Sequence, residues 1–259
     1  MDLKSNIHTS FPFYDTNYLP LCNDSLNGWH FWKQWMPGRL ASFQIRRTTG
    51  VGNSITGFYL KNFAGVTVQS LSTANLDTVT LTGVDYIVYD GLTNNISLSD
   101  GSYYIEVTDG TTTWRSVRFM VDSTADLLKF TYYNSTDIGY ILYNKTPQNK
   151  CELWLPVDLC DTDNEFEETG AKRGTLFIAR KKSLNHRYTM TFKAPEYIVN
   201  AFSYMWLHDN ITVTRPNGES SEVFDLEVDS DRLITCVADL TVIFRINTIE
   251  KTGCTANMT

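Results

Sequence analysis

The chain has 259 residues, of which 42% are hydrophobic and 20% are charged. This balance is typical of a globular protein and excludes a disordered one. Aromatic residues reach 13%, which favours strands over helices because these side chains fit the pleated surface of a sheet. The net charge of −7 argues against a protein that grips nucleic-acid phosphates, since such proteins carry basic surfaces.

The five cysteines are odd in number and show no CxxC pair or other metal-ligand spacing. They are Cys22, Cys151, Cys160, Cys236 and Cys254. We therefore expect reduced thiols in a protein made inside a cell, not a secreted disulfide framework. We also expect no signal peptide and no membrane span, because no charged start precedes an apolar run and no stretch of about 18 apolar residues occurs.

Residues 1–42 differ from the rest, with three prolines and little alternation of polar and apolar residues. Their aromatic cluster consists of Trp29, Phe31, Trp32 and Trp35. Tryptophans spaced by three indicate one side of a short helix or a loop packed on a neighbour. The segment predicts an arm that docks onto another subunit, with the alternative that it lines the chain's own core.

Residues 43–122 alternate in the manner of short strands, separated by turn signals such as Asp90-Gly91 and Asp109-Gly110. About seven strands in some 80 residues is the size of an immunoglobulin-like sandwich. Residues 123–126 are a candidate linker. A second β-rich domain is expected over 127–255, with one short helix at 195–202 where Pro195 and Glu196 favour a helix start. The predicted fold is therefore all-β, with two β-sandwich-like domains, an N-terminal arm and one short helix.

A search for catalytic and metal-binding motifs is mostly negative. The four histidines have no metal spacing, and no nucleophile elbow or phosphate loop is present. The acidic stretch 161–168 resembles a calcium loop in part, but Phe166 and Lys172 stand where that loop needs Gly and Glu. We interpret it as a solvated loop and expect no enzyme activity, cofactor, metal or small-molecule substrate. A glycosidase with two facing carboxylates is a third, less favoured alternative.

Basic residues follow this acidic stretch closely in the sequence. They are Lys172, Arg173, Arg180, Lys181 and Lys182. Opposite charges so close together predict pairing across a hairpin or between subunits, and such pairs set register more than stability. The sequence thus gives ten candidate interface residues: Trp29, Phe31, Trp32, Trp35, Asp161, Asp163, Glu165, Arg180, Lys181 and Lys182.

About half of the chain, residues 100–215, resembles a known family. The run 101–110 contains a Gly-x-Tyr-Tyr strand, 114–119 contains a Trp-x-Ser-x-x-Phe strand, and an Asp-Gly turn lies between them. These motifs, continued at 127–139, 188–198 and 211–213, resemble an immunoglobulin-like module in structural proteins of crAss-like, short-tailed phages that infect Bacteroidetes. The acidic insertion and the tryptophan-rich N-terminus depart from that pattern.

The resemblance implies a virion protein of the neck or tail, made in the bacterial cytoplasm, that forms a ring with its own copies around the DNA channel. Its partners would be adjacent portal, ring or tail proteins. An acidic inner face would let double-stranded DNA pass without sticking, although we identify no run of acids at alternate strand positions that marks such a face. The alternative is a receptor- or glycan-binding module with exposed tryptophans, because a sandwich serves either purpose.

Overall fold

The computed structural model describes residues 11–15, 34–48, 50–137, 142, 150–157, 160–173, 176–234 and 237–252. Strands dominate these residues, and they form three sheets. The predicted all-β fold with two sandwich-like halves is confirmed. None of the helices in the described part of the chain is long and apolar enough to cross a membrane.

In the described part of the chain, the first half contains ten strands in two sheets. Their bounds are β1 (Phe13–Asp15), β2 (Gln34–Met36), β3 (Phe43–Arg47), β4 (Gly57–Asn62), β5 (Thr67–Ser70), β6 (Asp77–Leu81), β7 (Val84–Tyr89), β8 (Gly101–Thr108), β9 (Thr113–Ser116) and β10 (Phe119–Val121). The smaller sheet has the order β3-β7-β6. In the larger sheet β5, β4 and β8 lie side by side, and both β9 and β10 pair with β8.

This strand order matches that of immunoglobulin-like sandwiches, in which one sheet contains strands B, E and D and the other contains C′, C, F and G. Here β3, β7 and β6 take the first three places, and β5, β4, β8 and the interrupted strand β9–β10 take the others. The two sheets enclose aromatic side chains. Phe43 lies 4.6 Å from Phe13 and stacks on Tyr89 at 5.1 Å, measured between ring centroids.

The described residues of the predicted N-terminal arm belong to this sandwich. Strand β1 pairs with β9, and β2 runs parallel to β10. Phe11, Phe13 and Met36 are buried in the core. At these described positions the segment lines the chain's own core, which is the alternative interpretation, and Trp35 lies in strand β2 and not in a short helix.

Two turns differ from the sequence prediction. Asp90 does not open a hairpin; its carboxylate accepts from the Leu92 N–H at 3.0 Å and caps a short helix, α1 (Gly91–Asn94). The tight hairpin is instead between β6 and β7, where Thr82 and Gly83 both have positive φ, as a two-residue type I′ turn requires. The Asp109-Gly110 turn was predicted, and Gly110 has φ +85°.

The second half is one antiparallel sheet of seven strands with the order β12-β11-β15-β16-β17-β14-β13. The bounds are β11 (Leu127–Tyr133), β12 (Cys151–Pro156), β13 (Cys160–Arg173), β14 (Leu176–Pro195), β15 (Asn210–Thr214), β16 (Ser220–Ile234) and β17 (Val237–Thr252). Four of these strands, β13, β14, β16 and β17, have 14 to 20 residues. They are well above the usual length of about five or six.

The predicted helix is confirmed as α2 (Glu196–Met205), which begins one residue later than expected. It covers one face of the sheet with Ala201, Phe202 and Met205, all fully buried. Phe130 joins helix and sheet, because its ring lies 5.5 Å from Phe202 and 5.2 Å from Phe244. Burial of this face leaves the opposite face of the long strands to solvent.

The two halves share one continuous core and a buried polar clamp. Arg39 donates two hydrogen bonds to the Glu152 carboxylate, at 2.6 and 3.0 Å, and its guanidinium lies over the Trp154 ring at 5.1 Å. Glu152 is fully buried. A second link is formed by Leu142, whose N–H donates to Gln44 Oε1 at 3.1 Å.

Candidate functional site

The solvent face of the long strands carries two columns of acids, one on β13 and one on β16. Successive side chains of a strand point to opposite faces, so residues at alternate positions share a face. On β13 the exposed members are Asp161 and Asp163; on β16 they are Glu227, Asp229 and Asp231. Both columns are flanked on their inner sides by the central pair β14 and β17.

The strand register places both columns on the same face. Asp163 lies opposite Arg187, Arg187 opposite Arg245, and Arg245 opposite Asp225. Directly opposite residues in adjacent antiparallel strands point to the same side of the sheet. A parallel row runs from Asp161 through Thr189 and Ile243 to Glu227.

We call this surface the acidic face. Its acids are Asp161, Asp163, Glu165, Asp225, Glu227, Asp229, Asp231 and Asp239, and its bases are Arg187, Lys193 and Arg245. Among these eleven described residues, eight acids against three bases leave an excess of five negative charges.

Arg245 stands at the centre of the acidic face and organises it. It donates to Glu165 at 2.8 Å, to Asp225 at 2.5 Å and to Glu227 at 2.7 Å, so it binds the two flanking columns together. The hydrogen bond from Arg245 lowers the pKa of Glu165. The hydrogen bonds that Arg245 donates to Glu165 and Glu227 in turn raise the pKa of its guanidinium. Glu165 and Arg245 therefore stay charged at neutral pH.

The sequence-predicted acids are found on this surface, in a different local structure from the one expected. The stretch 161–168 is not a solvated loop but lies within strand β13. The alternation of acidic with other residues suits a strand with one solvent face, and a 20-residue partner strand extends it. Asp161 and Asp163 are exposed, whereas Glu165 is half-buried under Arg245 and 3.7 Å from Arg187.

The predicted basic residues Arg180, Lys181 and Lys182 lie on β14. The hairpin register places Lys182 opposite Glu168 and Lys181 opposite Thr169, with a bulge beside them. Among the predicted aromatics, Trp35 is half-buried against the core. Trp29, Phe31 and Trp32 lie outside the described residues.

The acidic column on β16 was missed in the sequence. The statement that no run of acids occupies alternate strand positions is wrong, because Asp225, Glu227, Asp229 and Asp231 follow each other at every second position. The alternating acids of β16 are visible in the sequence. That they share a face with the acids of β13 follows only from the pairing of β16 with β17, of β17 with β14 and of β14 with β13.

A second polar cluster lies inside the first sandwich and is structural. The Arg47 side chain is 1% exposed and bonds to Asp85 at 2.5 Å, to Asp109 at 3.4 Å and to the Asn53 carbonyl at 2.7 Å. Burial alone would raise the pKa of Asp85, but hydrogen bonds from the Gly52 N–H, Thr80 and Arg47 outweigh it and lower the pKa to about 2. The cluster ties the loop between β3 and β4 to Asp85 of β7 and to Asp109.

Within the described residues, no group of three or more His, Cys, Asp and Glu side chains could hold a metal ion. The acids of the acidic face are distributed over β13 and β16, on either side of the central pair β14 and β17. Its chemistry is long-range: it repels polyanions and attracts cationic surfaces. Comparison of the chain with protein-family models, with curated proteins and with solved structures finds no match.

Proposed function

We propose that the chain is a structural subunit that assembles with its own copies into a ring in the neck or tail of a tailed-phage virion, around the DNA channel. The observation that carries this proposal is the acidic face. A surface with an excess of negative charge does not retain DNA, because a polyanion gains nothing there from counterion release. Such a surface suits the wall of a channel through which DNA slides.

The shape of the second sheet supports the same proposal. The strands have 14 to 20 residues, which is roughly 45 to 65 Å at about 3.3 Å per residue, and the acids of the acidic face cover about 20 Å of this length on β16. Helix α2 packs against the buried face of the second sheet. The buried ion pair between Arg39 and Glu152 joins this sheet to the first sandwich. A subunit of this kind is a rigid block, and copies of a rigid block related by a closing rotation form a ring.

The experiment is electron microscopy of the purified protein at increasing concentration. The proposal expects closed rings in which the acidic face lines the lumen. As a matched probe, Asp229→Lys and Asp231→Lys together should leave the rings intact and make them retain duplex DNA at low salt. Rings with the acidic face on their outer surface, or unchanged DNA retention by the variant, would contradict the channel role.

Glycan binding is the second candidate, and the exposed Trp206 favours it. This side chain is 64% exposed at the end of α2, next to the exposed Leu207, and an exposed indole can stack on a sugar. If glycan binding is the function, Trp206→Ala should abolish retention on a glycan array while Phe224→Ala, at another exposed aromatic, should not. Under the ring proposal, neither the wild type nor the two variants bind the glycan array.

A further inference from the structure

Strand β5 (Thr67–Ser70) is an open edge of the larger sheet in the first half. It pairs with β4 on one side, and among the described residues no strand pairs with its other side. Residues 64–70 are all exposed, and the side chains include Val66 at 59% and Val68 at 52% exposure. The proposed ring does not explain two apolar residues so exposed on one short strand.

The segment around β5 also has no charged residue. Residues 62–76 contain no acid and no base, whereas the edge strand β6 of the smaller sheet begins with Asp77. Charged residues and prolines usually protect an edge strand, because unpaired backbone groups would otherwise pair with another chain. Strand β5 has neither, so its sequence favours a contact at this edge.

The backbone of Thr67 faces the open side of the strand. The Asn62 N–H donates to the Val66 carbonyl at 3.0 Å, so the polar backbone groups of Val66 point towards β4. Because these groups alternate in direction along an antiparallel strand, the N–H and C=O of Thr67 point away from β4. They lie in the middle of the exposed segment, with one exposed valine on each side.

We propose that two copies of the chain associate through their β5 edges, antiparallel about a two-fold axis that passes beside Thr67. Each Thr67 then donates its N–H to the C=O of Thr67 in the second copy, and each Val66 lies opposite a Val68. Thr–Thr pairs stabilise antiparallel strands, and contact between the valines removes apolar surface from water. The interface is isologous, with the same strand contributed by both subunits.

A second copy is the occupant that matches this edge. The sequence Val66-Thr67-Val68 is symmetric about Thr67, so an identical strand in the opposite direction covers both valines of each copy at once. A two-fold axis brings like residues together, and like charges directly opposite each other would destabilise such a pair. An uncharged edge avoids this repulsion.

A β-bulge keeps the contact short. The register with β4 shifts between Leu60 and Lys61, which leaves Val68 as an extra residue. A bulge increases the local twist and limits regular pairing at an edge, so we expect the contact to be confined to residues 65–69 and to form reversibly. The inference goes beyond the proposed ring and does not depend on it, because a pair can exist alone or join two rings.

The test is sedimentation equilibrium of the full-length protein over a range of concentrations. Wild type should include a species with twice the mass of the largest species formed by the edge variant, Val66→Lys with Val68→Lys. This variant places like charges opposite each other, so the association should weaken by at least about tenfold. The matched control is Val51→Lys with Leu92→Lys, at residues that are 39% and 48% exposed outside β5, and it should associate as wild type does.

A mixture of two edge variants gives the decisive result. Val66→Glu with Val68→Glu should also fail to pair with itself, but its glutamates would lie opposite the lysines of the first variant. A 1:1 mixture should therefore recover the pair, which contact of β5 with any other surface would not give. Circular dichroism must first show that each variant is folded, as the exposure of both valines favours.

Three results would each overturn the proposal: a wild type with the same mass as the edge variant, equal weakening by the control, or a mixture that does not associate. Rings that persist when the pair is lost would leave the proposed function standing.

Discussion

Arg47 shows how a single buried charge controls the first sandwich. Its carboxylate partners, Asp85 and Asp109, are themselves buried, so the side chain neutralises charges that water cannot reach. Removal of one partner from a buried ion pair leaves an uncompensated charge and typically costs about 3–5 kcal/mol. The network therefore matters for folding even though it takes no part in the candidate site.

We predict that Arg47→Met lowers the free energy of unfolding by about 3–5 kcal/mol. Lys193→Met is the control, because the pair between Lys193 and Asp239 is exposed and should change stability by no more than about 1 kcal/mol. Urea unfolding followed by tryptophan fluorescence gives both values. Equal losses for the two variants would show that the buried network has no special role.

His208 makes stability depend on pH in the mildly acidic range. Burial lowers the pKa of its imidazole, which packs edge-on against Tyr132 and lies 2.7 Å from the Tyr204 carbonyl. The unfolded state then binds the proton more tightly than the folded state. Stability is complete above the unfolded pKa of about 6.5 and falls as the pH drops below it.

We therefore predict a decrease in melting temperature of the wild type between pH 7 and pH 5, with a shallower decrease for His208→Gln. Thermal unfolding across this range checks it. Asp85 does not interfere, because its lowered pKa of about 2 confines its own loss of stability to lower pH, below the unfolded value of about 3.9. A variant with the same slope as the wild type would exclude His208 as the source.

At the scale of elements, the clamp between Arg39 and β12 holds the two halves together. Arg39→Met should destabilise the protein by about 3–5 kcal/mol, because the fully buried Glu152 carboxylate would lose both hydrogen bonds from Arg39. Adding Glu152→Gln should recover part of this loss of stability, since burying a neutral amide costs less free energy than burying a carboxylate. Denaturant unfolding of both variants provides the measurement. A double variant less stable than Arg39→Met would contradict the explanation.

The elements also show which features can be predicted from sequence. Local signals suffice for the strands of the first half, for α2 after Pro195 and for the Asp109-Gly110 turn, because alternation and turn residues act within a few positions. The stretch 161–168 was predicted as a loop because its many acidic residues are typical of a solvated loop. The alternation of acids with other residues at 161–165, which is typical of a strand, was given less weight. Asp90-Gly91 was predicted as a turn, but the same pair also fits the start of a helix, because Asp is a good N-cap residue. The local sequence does not distinguish the two structures.

The acidic face could be predicted only in part. Its β13 column was selected as a candidate site, but the column on β16 was not. Whether the two columns share a face depends on β14 and β17, whose pairing brings together residues about 60 positions apart. A single sequence does not encode that register in any local pattern, because it follows from burial of Phe192, Leu240 and Phe244 beneath α2.

At the scale of the whole molecule, one face of the second sheet carries an excess of acids, which suits the channel wall of the proposed ring. A ring has a defined number of copies related by one rotation. The mass of the assembled protein therefore tests the central claim that this chain assembles with itself.

Native mass spectrometry of the full-length protein, with and without residues 1–42, is that measurement. The ring proposal predicts a discrete multiple of 29.6 kDa that is larger than two. Deletion of 1–42 should abolish it, because strands β1 and β2 lie within the deleted residues and belong to the first sandwich. A full-length chain that remains monomeric at every concentration would contradict self-assembly.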